Sequence, residues 1–308
     1  MDFQRPILIA AIAAVSLMLL VEWNKFQQAE KPAQANAEQI APEISAPVDV
    51  PTASSDNADT PVAPESAVAP VAPVVNAMAA GKIIDVYSDK LHLKIDTDGG
   101  DIVMAALRDY PAKINEPEHP FVVLTRTNTN LYIAQSGLIG DNGIDKGAVR
   151  PRFIAPQVRY DMADNAQILV VDLPLADNSG ANIVKRYTLH RGEHWIDVSY
   201  VVKNTTQQPW SGYFYGQIKR DTHEPVSTGG GVGIRPFLGG AITTPEKHYQ
   251  KMSFKDMAKT PLKENILGGW IAMVQHYFVS AWIPSATANN SFYTKHDEKN
   301  DLYFLGFT

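Results

Sequence analysis

The sequence predicts an all-β class, a large antiparallel β-sandwich, preceded by one transmembrane helix and a disordered linker. Three observations in the 308-residue chain support this prediction: an apolar run near the amino terminus, a stretch rich in alanine, proline and acids, and short β-branched and aromatic runs from Gly81 onward. A hydrophobic content of 45% is enough for a sizeable core.

The apolar run covers residues 7–21, ILIAAIAAVSLMLLV, without a charged side chain. Extended to residues 6–23, a helix would rise about 27 Å, close to the roughly 30 Å of a bilayer's hydrocarbon core. Arg5 predicts a cytoplasmic amino terminus, and Trp23 suits the membrane interface. We therefore predict a transmembrane anchor over residues 1–26. Its predicted membrane residues are Ile7, Leu8, Ile9, Ile12, Val15, Leu17, Leu19, Leu20, Val21 and Trp23.

A cleaved secretory signal is the alternative interpretation of the same run. Val21-Glu22-Trp23 is a poor cleavage site, and Ala35-Asn36-Ala37 lies too far downstream. Both interpretations predict that the remainder of the chain is exported.

Residues 27–80 hold neither an aromatic residue nor glycine. Such a segment cannot bury enough apolar surface to offset the entropy of ordering it, so we predict a disordered Ala/Pro/acidic linker. Within it, residues 30–65 carry seven acids against Lys31, which accounts for the net charge of −6.

The composition excludes several function classes. The net charge is negative, which argues against nucleic-acid binding. The chain contains no cysteine, which excludes thiol catalysis, disulfide bonds and thiolate metal sites. We predict neither a cofactor nor a catalytic residue.

The remaining residues, 81–308, predict the sandwich domain because short β-branched and aromatic runs recur there, separated by turn residues. In the run at 194–202, alternate residues are apolar, as in a half-buried strand. The predicted strand runs are KIIDVYS (82–88), KLHLKID (90–96), DIVMAAL (101–107), AQILVVDL (166–173), NIVKRYTLH (182–190), HWIDVSYVV (194–202), WSGYFYGQIK (210–219) and LYFLGFT (302–308). The chain ends inside the last pattern, which predicts a domain truncated at its carboxyl-terminal end.

The stretch LGGWIAMVQHYFVSAWIP, residues 267–284, is aromatic and almost uncharged. Gly268 and Gly269 open it and Pro284 closes it, leaving too few residues for a second transmembrane helix. We predict two successive strands that are covered on both faces. Whether they form sandwich core or line a groove for an apolar segment stays open. The candidate groove or core residues are Trp270, Met273, Tyr277, Phe278 and Trp282.

Several phrases together closely resemble the YidC/Oxa/Alb family of membrane protein insertases. These are MDFQRPILI, TDGGDIVMAALRDYP, QSGL, KRYTLHRG, TPEKHYQKMSF and GGWIAMVQHYFVSAWIP, which stand in the same order from one end of the chain to the other. The resemblance implies a bacterial inner-membrane protein that helps insert and fold other membrane proteins, with or without the Sec translocon.

The resemblance also implies that a first transmembrane span is followed, in that family, by a periplasmic β-supersandwich similar to sugar mutarotases. Five further spans then form the insertase core, which this chain does not contain. No insertase active-site residue is therefore carried over. The implied partners are the Sec translocon (SecYEG and SecDF) and nascent inner-membrane proteins.

The segment from Tyr215 to Phe254 is the candidate for contact with the accessory SecDF subunits. It contains the glycine-rich stretch TGGGVGIRPFLGG (228–240), predicted as a mobile loop, and the charged stretch at 247–259, predicted as a solvated edge. The candidate partner-contact residues are Tyr215, Arg235, Phe237, Tyr249 and Phe254.

A carbohydrate-binding or mutarotase-like module is the alternative function. Sugar mutarotases pair a histidine acid with a carboxylate base across a cleft, and the sequence does not identify such a pair, so a binding groove without that chemistry is favoured within this alternative. The motif HRGEH (190–194) superficially matches a zinc site. However, Arg191-Gly192 predicts a hairpin turn that separates the two histidines, so we predict no metal.

Overall fold

A computed structural model of the chain describes residues 82–113, 115–147, 149–177, 180–223, 236–275 and 277–308. The predicted anchor and linker lie outside these residues. Within the described ranges, the structure contains no helix of the length and apolarity needed to cross a membrane.

A ten-stranded sheet forms the body of the domain. Its strands in chain order are β1 (Ile83–Tyr87), β2 (Leu91–Asp96), β3 (Asp101–Pro111), β4 (Pro120–Arg126), β5 (Leu131–Ile139), β6 (Arg159–Asp161), β10 (Tyr213–Arg220), β13 (Lys263–Leu267), β16 (Asn289–Asp297) and β17 (Leu302–Phe307). Their spatial order is β13-β16-β17-β10-β5-β4-β3-β2-β1-β6. Neighbours are antiparallel except β1 and β6, which are parallel.

The described residues form two further, smaller antiparallel sheets. The three-stranded sheet has the order β7-β8-β9, with β7 (Ile168–Pro174), β8 (Ala181–His190) and β9 (Ile196–Asn204). The four-stranded sheet has the order β12-β11-β14-β15, with β11 (Leu238–Ile242), β12 (Gln250–Met252), β14 (Ile271–Gln275) and β15 (Phe278–Trp282). The predicted all-β sandwich class is confirmed.

Period-two burial explains how these strands form a core. Along β8, alternate residues from Ala181 to Leu189 are buried, while the residues between them are half-buried or exposed. On β9, Ile196, Val198 and Tyr200 face inward, as the sequence predicts. Each fully buried aliphatic side chain contributes roughly 1.5–3 kcal/mol through removal of apolar surface from water. Residues from all three sheets share one hydrophobic core.

The stretch 267–284 forms two paired strands, as predicted. Gly268 and Gly269 both have positive φ, 68° and 85°, a conformation that glycine adopts without strain. A Cβ at Gly268 would also lie 2.9 Å from the Ala286 carbonyl oxygen, so only glycine fits this turn into β14. The prediction that both strands are covered on both faces is correct for β14 but wrong for β15, which is half exposed.

Two predictions between residues 228 and 259 need correction. The predicted loop ends in strand β11, which is central in the four-stranded sheet and buries Gly239 and Gly240; residues 228–235 lie outside the described residues. The predicted solvated edge does contain edge strand β12, but a helix, α1 (Phe254–Lys259), follows it. A capping box between Ser253 and Asp256 starts that helix.

Candidate functional site

The predicted groove residues divide into core and surface. Met273 is fully buried and belongs to the core. Trp270, Phe278 and Trp282 are half-buried, whereas Tyr277 is 82% exposed. The structure therefore does not bring all five together into one groove.

One row of side chains on β15 fixes this strand to the ten-stranded sheet. The Phe278 ring stacks on Phe121 of β4 with centroids 4.1 Å apart. The Trp282 ring lies 6.3 Å from Phe214 on β10 and 6.2 Å from Phe307 on β17. Pairs at these spacings contribute about 0.5–1.5 kcal/mol beyond their buried area, so β15 is held rigidly.

The opposite row of β15 faces solvent. We call Tyr277, Val279, Ala281 and Ile283 the outer row; all four are exposed, and the residues between them along the chain are half-buried. Val279 is 59% exposed and Ile283 is 74% exposed. An exposed row without a charged residue on an edge strand is a candidate interaction surface.

A second aromatic group lies at the surface of the four-stranded sheet. The Tyr249 ring is 6.0 Å from the Trp270 ring. The Lys251 ammonium lies 5.0 Å from the Phe237 ring and 5.8 Å from the Tyr249 ring. The structure thus brings two predicted partner-contact residues together with one predicted groove residue. We call Phe237, Tyr249, Lys251 and Trp270 the aromatic patch.

The other predicted partner-contact residues do not join this patch. Tyr215 is fully buried at 0% exposure, so the prediction that its side chain contacts a partner is wrong. Phe254 is half-buried and packs with its ring 4.8 Å from Tyr303, where it helps anchor α1. Arg235 lies outside the described residues.

The interior holds a charged cluster that the sequence did not predict. Arg150 pairs with Asp101 at 2.7 Å and also with Asp145. The Lys185 ammonium on β8 donates to the carbonyl oxygens of Gly99 at 2.9 Å and Ser136 at 3.0 Å. We call Asp101, Asp145, Arg150 and Lys185 the buried charged cluster; Tyr187, Tyr200 and Tyr215 surround it.

Burial perturbs the ionisation of this cluster. It lowers the pKa of Lys185 to about 7, an effect that Asp101 partly opposes. Burial also raises the pKa of Asp145, while Arg150 acts in the opposite direction. Burial alone would lower the pKa of Arg150, but Asp101, Tyr215 and Asp145 raise it above its usual value. The side chains of Asp101, Asp145 and Lys185 are almost inaccessible to solvent, so their role is structural.

The histidines of HRGEH lie on either side of a hairpin turn, as predicted. Gly192 has a φ of 82°, and the Glu193 amide donates to the His190 carbonyl at 3.2 Å. His190 Nε2 lies 3.0 Å from Asp197, and His194 Nε2 lies 3.0 Å from Asp109. The histidines therefore have different carboxylate partners. Across the ranges that the structure describes, no three metal-ligating side chains are grouped as a metal site would require.

This arrangement suits binding better than chemistry. The strongly perturbed groups are enclosed, whereas the exposed features are apolar or aromatic: the outer row and the aromatic patch. Such surfaces recognise apolar or aromatic segments of other polypeptides.

Comparisons with known proteins agree with the sequence resemblance. The protein-family model described as YidC periplasmic domain matches residues 83–308. The chain is 41% identical over 315 residues to "Membrane protein insertase YidC" of Cellvibrio japonicus, covering 100% of this chain and 54% of that protein. The protein of the same name from Pseudomonas entomophila is 41% identical over 311 residues, with 100% and 55% covered.

A third relative, "Membrane protein insertase YidC" of Pseudomonas putida strain GB-1, is 42% identical over 313 residues. The alignment covers 100% of this chain and 55% of that protein, so the chain spans about half the length of these relatives. None of these relatives carries a name that supports the carbohydrate-binding alternative. Because the family model covers all described strands, the chain belongs to the YidC periplasmic domain family.

Proposed function

We propose that this chain is the amino-terminal part of a membrane protein insertase and chaperone, in which the sandwich contacts partners and clients. The observation that carries the proposal is the family match over residues 83–308, together with the names of the relatives. In this proposal the chain supplies anchorage and a contact domain, not the insertase core.

The proposed organisation has three parts. Residues 1–26 anchor the chain, with residues 6–23 in the inner membrane and the amino terminus in the cytoplasm. Residues 27–80 form a linker, and residues 81–308 form the periplasmic domain. The uncharged run at 7–21 and the family of the domain support this organisation.

A reporter fusion tests the proposed orientation. An enzyme that is active only outside the cytoplasm, fused after residue 100, should be active in cells producing the fusion. The same fusion without residues 1–26 should be inactive because export is lost. Activity that is confined to a cytoplasm-specific reporter at the same position would contradict the proposal.

The proposed partners are the Sec translocon, SecYEG with SecDF, and nascent inner-membrane proteins. The aromatic patch is the proposed SecDF contact because it combines exposed Tyr249 with half-buried Phe237 beside Lys251. Aromatic residues dominate the energetics of protein interfaces.

Co-purification of SecDF with the chain from detergent-solubilised membranes tests this contact. Tyr249→Asp should reduce the recovered SecDF at least tenfold. The matched control is Tyr110→Asp, which changes another exposed tyrosine, on β3, whose ring packs near Phe278 of β15 and not against the patch. Equal losses in both variants, or no loss in either, would remove the patch from the proposed interface.

A further inference from the structure

In the part of the chain that the structure describes, six strands form the edges of the three sheets: β13 and β6, β12 and β15, and β7 and β9. Five of them carry charged residues, which discourage another strand from adding to the sheet. These residues are Lys263 and Glu264 on β13, Arg159 and Asp161 on β6, Lys251 on β12, Asp172 on β7, and Asp197 and Lys203 on β9.

Strand β15 differs from the other edges. It reads FVSAW and carries no charge, and the whole stretch from residue 265 to 294 contains no Asp, Glu, Lys or Arg. Proline follows only at position 284, beyond the strand. The protection that the other edges possess is therefore missing from β15.

The free side of β15 presents backbone groups for pairing. Among the strands of the described residues, β15 pairs with β14 alone, in an antiparallel register from Phe278 opposite Gln275 to Trp282 opposite Ile271. Alternate amide and carbonyl groups of such a strand point away from its partner. Because Phe278 and Trp282 pack on the ten-stranded sheet, these groups are held in a fixed extended conformation.

We propose that β15 binds an extended, uncharged, apolar segment of another polypeptide by strand addition. The inference rests on the proposed function, which it deepens by naming the surface and the chemistry of the client segment. Main-chain hydrogen bonds provide the affinity in this mode, and side chains at alternate positions provide the selectivity. The outer row, from Tyr277 to Ile283, contacts alternate side chains of the added strand.

Charge and size identify an unfolded client segment as the occupant. An uncharged segment meets no unpaired charge at β15, whereas it would meet charges at every other edge. A five-residue strand buries on the order of several hundred Å², well below the ~1,200 Å² of a stable specific complex. Pairing at β15 alone is too small for a stable dimer, and it suits a transient complex with a chain that is still unfolded.

The test uses the 308-residue chain and a coumarin-labelled, end-capped octapeptide of alternating valine and threonine. Peptide binding is followed by fluorescence anisotropy, and backbone protection by hydrogen exchange. We expect the peptide to slow exchange at those amides of residues 278–282 that point away from β14, since the others already bond to β14. A control peptide of the same sequence, N-methylated at every backbone amide, has no N–H donor and should not bind.

Two valine-to-lysine variants locate the binding edge. Val279→Lys places a charge in the outer row and should weaken peptide binding at least tenfold. Val201→Lys makes the same change at an exposed valine of β9, an edge that already carries charges, and should change binding less than twofold. Both positions are exposed, and thermal unfolding confirms that each variant remains folded.

Equal peptide binding by wild type and Val279→Lys would overturn the proposal. Protection, without peptide, of the amides in residues 278–282 that point away from β14 would also overturn it. Sedimentation as a dimer would then identify a second copy as the occupant, and loss of protection on deletion of residues 66–80 would identify the chain's own linker. Failure of strand addition would leave the reporter-fusion and SecDF results unchanged, so the two proposals are tested separately.

Discussion

The two small sheets attach to the ten-stranded sheet by different chemistry. The three-stranded sheet uses polar groups: the Lys185 ammonium and the Tyr200 hydroxyl both donate to the Ser136 carbonyl on β5, at 3.0 and 3.2 Å. Tyr187 on β8 also donates to the Gly100 carbonyl. The four-stranded sheet relies mainly on rings on β15, which pack against β4, β10 and β17, beside a polar contact in which Arg220 on β10 donates to the Gln275 side-chain oxygen on β14 at 3.3 Å.

Neighbouring residues on β10 show the contrast. The ring of Phe214 meets Trp282, while the hydroxyl of Tyr215 joins Arg150 and Asp145. A buried charge left without its partner is strongly destabilising, whereas a lost ring costs its own contacts and leaves no unsatisfied polar group. Loss of one charged partner should therefore lower the free energy of unfolding by a large amount, whereas loss of one ring should lower it by a smaller amount.

The largest expected effect comes from removing the central cation of the charged cluster. Arg150→Met leaves Asp101 and Asp145 buried without their partner. We expect the free energy of unfolding, measured by urea denaturation, to fall by roughly 3–5 kcal/mol.

The exposed pair between Arg159 and Asp161 provides the control for this measurement. Arg159→Met should cost less than about 1 kcal/mol because solvent screens an exposed ion pair. Adding Asp101→Asn and Asp145→Asn to Arg150→Met should recover part of the lost stability. An Arg150→Met variant as stable as Arg159→Met would show that the cluster does not hold the sheets together.

Loss of a ring from the aromatic attachment should have a smaller effect. Trp282 is half-buried between Phe214 and Phe307, so Trp282→Ala should lower the free energy of unfolding by about 2–3 kcal/mol. Trp195, which is exposed and has its ring tilted against that of His190, is the matched control; Trp195→Ala should cost less than about 1 kcal/mol. Equal losses in urea denaturation would mean that β15 is not anchored by its inner rings.

Lys185 should make the stability of the charged attachment depend on pH. Its pKa is about 7 in the folded protein against 10.5 for an ordinary lysine. Between these pH values the unfolded chain holds a proton that the folded chain has released, so the stability of wild type rises with pH. Lys185→Met removes this contribution. As the pH rises from 7 to 10.5, the free energy of unfolding of wild type should increase relative to that of the variant by up to about 1.4 kcal/mol per pH unit.

Urea denaturation at several pH values across the same window measures that difference. Below pH 7 both states of wild type hold the proton, and the difference between wild type and variant should be constant. Lys203 is an exposed lysine on β9, so the stability difference between wild type and Lys203→Met should not change with pH across this window. A flat difference for Lys185→Met between pH 7 and 10.5 would indicate that the ammonium keeps its proton when buried.

The sequence predicted strands best where their pattern is locally complete. The runs at 182–190 and 194–202 became β8 and β9 because period-two alternation is visible without knowledge of a partner. The same alternation places Lys185 on the apolar face of β8, between Ile183 and Tyr187, and this was the available signal for the buried charged cluster. Its partners Asp101 and Arg150 are distant in the chain, so the cluster itself depends on tertiary structure.

Other elements were missed because their environment is set by neighbours in space. Strands β5 and β16 are buried along most of their length and lack a clean alternation. Nothing local in the sequence indicates that Arg150 and Asp145 reach the Tyr215 hydroxyl, so the sequence predicts a partner contact where the structure has a buried side chain. One face of β15 is exposed and the other is half-buried, whereas β14 is buried on both faces. The two strands have similar compositions, so the sequence does not show that β14 is central in the sheet and β15 lies at its edge.

The smallest expected effect distinguishes the two faces of β15 directly. Tyr277 is 82% exposed, so Tyr277→Ala should change the free energy of unfolding by less than about 0.5 kcal/mol. Its neighbour Phe278 stacks on Phe121, so Phe278→Ala should cost about 2 kcal/mol or more. Urea denaturation of both variants measures the contrast. If Tyr277→Ala cost as much as Phe278→Ala, the outer row would belong to the core, and the surface proposed for strand addition would not be free.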